Sequence, residues 1–144
     1  MERYINKISG PLLDRIDLQV EMPPVPIKEI KAARPAETSA EIKKRVDKAR
    51  QIQQERYKNE DFSCNAKMSP SALRKYCHMT DKATERLTDV FEKTSLSMRA
   101  YDKLIKIGQT IADLDGKEVI EAEHISEAVY FRSLDKKYWN RTKV

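Results

Sequence analysis

The chain has 144 residues, 40% of them apolar and 35% charged, and a net charge of +5. That suffices for one domain, or one domain and the edge of another, under a heavily solvated surface. Three glycines and six prolines argue against a β-rich or collagen-like class, and the two cysteines and two histidines lack metal-ligand spacing. No stretch approaches the roughly 20 apolar residues of a membrane span and no signal-peptide pattern opens the chain, so a reduced, cytoplasmic protein is expected.

In chain order, residues 2–9 suggest a short helix carrying Tyr4, Ile5 and Ile8, ended by Gly10-Pro11. Leu12-Leu13 forms an apolar anchor, and Asp14-Arg15 sits at a turn. Ile16, Leu18, Val20 and Met22 then alternate with Asp17, Gln19 and Glu21, the period of a half-buried strand over about 17–22. Pro23-Pro24-Val25-Pro26 stops it, because proline donates nothing to a ladder. Residues 23–38 read as a linker. A lone strand has no partners, so residues 1–22 look like the edge of a larger α/β domain.

Beyond the linker the expectation is helical throughout. Thr38-Ser39-Ala40-Glu41 is a capping box opening a helix over about 39–58, with Ile42, Val46, Ala49 and Ile52 at helical spacing. Ser69-Pro70 starts a short helix over about 70–77. Thr80-Asp81 starts another, with Ala83, Leu87, Val90 and Phe91 inward. Ser97 caps a fourth, whose apolar stripe is Tyr101, Leu104, Ile105, Ile111, Ala112 and Leu114 and whose stop is Gly116. After an extended Val119-Ile120 pair, a fifth helix over about 121–132 buries Ile125, Ala128 and Val129. Tyr138 and Trp139 lie in a basic tail over 135–144.

Charge is uneven along this order. Residues 1–40 balance, residues 41–58 hold seven basic groups against three acidic, residues 59–131 ten against thirteen, and residues 132–144 five against one. The basic helix, through Lys43, Lys44 and Lys48, and the tail could meet DNA or an acidic partner; a solvated face is the plainer reading. Cys77 and His78 are adjacent, which on a helix turns them apart by about 100° and makes a catalytic dyad the weaker reading. Cys77 suits the core and His78 a helix end.

Several blocks together resemble the C-terminal part of the magnesium-chelatase-like AAA+ ATPases of the ComM/YifB competence type. They are Tyr4 to Leu18, Ile42 with Arg45-Val46-Asp47-Lys48-Ala49-Arg50, Gln53 and Arg56, then Asn65-Ala66. Leu96-Ser97-Met98-Arg99-Ala100-Tyr101-Asp102, Thr110-Ile111-Ala112-Asp113-Leu114 and His124-Ile125-Ser126-Glu127-Ala128 complete them. The resemblance implies a mainly α chain: a helical AAA+ lid bundle of four to five helices over 59–134, a pre-lid helix over 39–58, and a short edge strand of the α/β ATPase core. It makes Arg15 an arginine finger acting on a neighbouring subunit and Arg99 the sensor-2 arginine.

By the same resemblance, ATP and magnesium belong to a parent ATPase that forms a hexameric ring and acts on DNA. No phosphate-loop motif and no strand ending in paired acids occurs in the chain, so it reads as a fragment that binds no nucleotide or metal alone and is no enzyme in isolation. Gly108-Gln109 departs from the Ala-Arg expected before Thr110. The alternatives are a helical nucleic-acid-binding module without ATP chemistry, a magnesium chelatase subunit acting on a porphyrin, and a helical interaction domain.

Overall fold

The computed structural model describes residues 12, 15–20, 22–27, 37–94 and 96–132. The expected helix over residues 2–9 and the tail over 135–144 lie outside them. Five helices succeed one another among the described residues: α1 (Ser39–Arg56), α2 (Pro70–Tyr76), α3 (Asp81–Thr94), α4 (Met98–Asp115) and α5 (Ala122–Tyr130). A 3-10 turn, Asn65–Lys67, precedes α2.

Local chemistry fixes the helix ends. Thr38 Oγ1 accepts from the Glu41 amide at 3.3 Å, and the Glu41 carboxylate accepts from the Thr38 amide at 2.8 Å. Ser69 caps α2 through the Ala72 amide, and Ser97 caps α4 through the Ala100 amide. Gly116 ends α4 with φ of 74°, a left-handed conformation that side chains with a β-carbon resist. A β-carbon built on Gly116 would stand 3.8 Å from Lys48 Nζ. That ammonium, contributed by α1, lies where the α4 dipole is negative and where α4 has no basic residue in its own last turn.

Helix α4 is the centre of the bundle and meets α1, α2, α5 and the 3-10 turn. Its Leu104, Ile105 and Ala112 join Leu87 and Val90 of α3, Leu73 of α2 and Ile125 and Ala128 of α5 in the buried interior. Ile120 enters that core from a parallel bridge to Met79, in which the Ile120 amide donates to the His78 carbonyl at 2.8 Å. Gly108 serves close approach: a β-carbon there would lie 3.1 Å from Ile125 Cδ1 and 3.4 Å from Ile120 Cγ2. The cost of a helical glycine is thus offset by contact between α4 and α5.

Three expectations are revised. The described residues of the 17–22 segment form no strand, and no strand stands among the described residues to offer a ladder. Nor is its apolar row inward: Ile16, Leu18, Val20 and Met22 are exposed, as is Asp17, and Gln19 is the residue that is buried. Leu114 belongs to the surface rather than to the α4 stripe, because it sits about 200° round the helix from buried Ala112. Ile42 and Val46 are each 43% exposed, and α1 first enters the bundle at Ala49.

Candidate functional site

The most elaborate polar constellation joins α1 to α4. The Asp113 side chain is 0% exposed and receives hydrogen bonds from three elements. Arg56 grips it with both terminal nitrogens, at 3.1 Å and 2.5 Å. Gln53 Nε2 donates at 3.0 Å, Asn65 Nδ2 at 2.8 Å and Gln109 Nε2 at 3.2 Å. Asn65 extends the net: its Oδ1 accepts from Tyr57 Oη at 2.7 Å, and its Nδ2 also reaches Thr110 Oγ1 at 3.0 Å. A buried carboxylate needs this, since desolvation is costly unless every lone pair finds a donor. Burial works against the charge on Arg56, and its hydrogen bonds to Asp113 outweigh that, so its pKa is raised.

Gln53, Arg56, Asn65, Thr110 and Asp113 all belong to the sequence blocks that carry the family resemblance, yet they act on one another. None was a candidate site residue. Gln109 replaces the expected arginine in this net and is fully buried, and its amide oxygen finds no partner among the described residues. Beside the net, burial pushes the Tyr57 phenol and the Cys77 thiol each up to about 12. Cys77 is buried against Met68 while His78 is exposed, so no Cys–His dyad forms.

The arginines expected to reach phosphates are placed quite differently. Arg15 is exposed on a turn whose amide donates to the Leu12 carbonyl at 3.1 Å. Arg99 is exposed on the first turn of α4, where a cation opposes the helix dipole. Neither guanidinium has a hydrogen bond or ion pair among the described residues. The two lie on connected segments. Lys103, one turn after Arg99 on the same face of α4, pairs at 2.6 Å with Asp17, two residues after Arg15. The basic side chains expected on α1 share an open groove lined by Ala40, Lys43, Lys44, Asp47, Lys48 and Gln51. Lys43 is paired with Asp47.

Comparison with known proteins bears on both halves of this picture. A family model described as magnesium chelatase, subunit ChlI C-terminal, matches residues 36–132, the whole helical bundle. The chain belongs to that family. A second model, magnesium chelatase, subunit ChlI, matches residues 1–30 of this magnesium-chelatase-like chain. Among curated relatives, it is 37% identical over 133 residues to the competence protein ComM of Haemophilus influenzae, covering 92% of the chain and 25% of the relative. It is also 37% identical over 135 residues to the YifB protein of Escherichia coli K12, covering 93% of the chain and 26% of that relative. The chain therefore spans about a quarter of the length of these relatives.

Proposed function

We propose that this chain supplies the helical lid and the core edge of an ATP-driven AAA+ ring motor, a hexamer acting on DNA. Arg15 is its arginine finger, reaching into a neighbouring subunit's nucleotide site, and Arg99 is its sensor-2 arginine. The observation that supports this reading is a juxtaposition among arginines in the matched blocks. Arg56 is engaged by Asp113 and Arg45 by Glu37, while Arg15, Arg50 and Arg99 are exposed and unengaged among the described residues. Of these, Arg15 and Arg99 lie on segments tied to each other through Asp17 and Lys103. A guanidinium held ready, permanently charged and forked, suits negative charge that grows on a transferring phosphoryl group.

Toward ATP and its magnesium the described residues offer these two guanidinia. No group of three His, Cys, Asp or Glu comes together among them, so the nucleotide's seat and the metal ligands are assigned to the rest of a longer chain. When bound, magnesium would neutralise phosphate charge there. The exposed row Ile16, Leu18, Val20 and Met22 suits cover by that remaining core. DNA as the substrate rests on the competence-protein relative and on the basic stretch 41–58, with Lys44 and Lys48 as its candidate contacts.

The test uses the longer ATPase chain that carries these residues. Arg15→Ala should cut ATP turnover by on the order of 10³–10⁵ while ATP binding stays nearly intact. Rings mixed from wild-type and Arg15→Ala subunits should lose activity at sites beside the mutant; full activity at every wild-type site would exclude action across the boundary. The 144-residue chain alone should not turn over ATP, and magnesium-dependent hydrolysis by it would refute this reading.

A further inference from the structure

Residues 15–20 lie against the bundle through polar groups, with Gln19 buried and Ile16, Leu18 and Val20 exposed, unlike a segment held by apolar burial. Three contacts hold them. The Gln19 amide donates to the Phe131 carbonyl at 2.8 Å, Arg132 Nη1 donates to the Ile16 carbonyl at 2.9 Å, and Lys103 pairs with Asp17 at 2.6 Å. Lys103 and Arg132 are unusually buried for their type, at 15% and 5% exposure, and Gln19 is buried with them. Ile16, Leu18 and Val20 face away. The underside of the segment is thus a polar contact of charge and main chain, closer in composition to an interface than to a core.

The position of this contact matters. Lys103 stands one helical turn from Arg99 on one face of α4, and Asp17 stands two residues from Arg15. Whatever fixes Asp17 on Lys103 therefore also fixes where Arg15 stands relative to Arg99. Arg132 adds a second point, since it binds the main chain between Arg15 and Asp17. Two anchors at separate places on the bundle define an orientation as well as a distance.

We propose that Lys103 and Arg132 are positioning residues that strap the Arg15 segment to the helical bundle and so set the geometry between Arg15 and Arg99. Neither touches a nucleotide. Their effect on hydrolysis passes through Arg15, and in that respect the inference rests on the proposed role of Arg15 as a finger.

Spin labels on Leu18→Cys and Met98→Cys, both exposed positions, in a Cys64→Ser background of this chain report the geometry directly. A single narrow distance population is expected, retained in Lys103→Arg and lost in the Lys103→Met/Arg132→Met pair. Asp17→Asn, which changes an exposed side chain and cannot unfold the core, should broaden the distribution in the same sense. Equal widths in all variants would overturn the proposal. In the longer ATPase, the Lys103→Met/Arg132→Met pair should lower kcat about ten- to a hundredfold with KM for ATP almost unchanged. An unchanged kcat alongside a broadened distribution would also overturn it. A wild-type ATPase with no turnover would instead remove the functional reading, and the label distances would still decide whether the strap exists.

Discussion

Arg56 on α1 and Asp113 on α4 meet in a two-pronged ion pair at 2.5 Å and 3.1 Å across 57 residues of sequence, with the carboxylate fully buried. Three amide side chains complete the carboxylate's shell, so a polar centre with a fully bonded carboxylate ties α1 to the bundle.

Asp113→Asn should therefore be severely destabilising. The neutral amide leaves the half-buried Arg56 charge without its partner and turns donors toward donors. Breaking a buried pair by removing one member costs about 3–5 kcal/mol. Urea unfolding of the chain, wild type against variant, measures this directly; a loss comparable to an exposed surface change would mean that the pair carries no stability.

Arg99→Ala and Leu104→Ala, both on α4, should behave oppositely in thermal melts. Arg99 is exposed, so its removal should shift stability by less than about 0.5 kcal/mol. Leu104 is 1% exposed in the core, and truncation should cost about 2–5 kcal/mol. An Arg99→Ala variant as unstable as Leu104→Ala would make Arg99 a structural residue and end its assignment as a sensor.

Gly108→Ala gains helix propensity yet should lose stability. The new methyl would meet Ile125 Cδ1 at 3.1 Å, so Ile125, fully buried in the core, would have to shift. Overpacking of this kind costs about 1–3 kcal/mol. Ile125→Val removes the obstructing Cδ1, so the double variant should be more stable than the sum of the two single losses. Strict additivity in urea unfolding would show that Gly108 is not a close-approach site.

Alkaline pH should weaken the fold through two buried groups, Cys77 and Tyr57. Burial raises Cys77 from 9.0, and Tyr57 from 10.0, each to about 12. A group whose folded pKa is raised lends stability below its unfolded pKa and loses it as pH climbs through the folded value. The melting temperature should accordingly fall between pH 9 and pH 12. At about pH 8 iodoacetamide should modify Cys64, which is half-buried, and spare Cys77 until the chain unfolds. Rapid labelling of Cys77 in the folded chain would contradict its burial.

Features readable from sequence were those in which a few adjacent residues carry the physics. The caps at Thr38, Ser69 and Ser97 and the left-handed stop at Gly116 depend on side chains within three or four residues of the backbone they satisfy. The five helices followed from them and from apolar spacing. The Asp113 net escaped because its members sit on three elements, and each alone looks like an ordinary polar surface residue. Gln19 escaped for a different reason. Alternation reports that a segment has two faces, but not which face meets this bundle, and here the apolar face turns away from it. Arg15 and Arg99 drew attention through the family resemblance, and both side chains are exposed.

The exposed first half of α1 has a mechanical consequence. Residues 39–48 touch no core, while Gln53 and Arg56 root the same helix in the Asp113 centre. At 1.5 Å per residue, the cap at Thr38 stands about 25 Å from that root. A tilt of the bundle by about 10° would sweep the cap sideways by about 4 Å, more than the length of a hydrogen bond. Small rotations at the base of this rod become displacements large enough to exchange one set of contacts for another at Ile42, Lys44 and Val46.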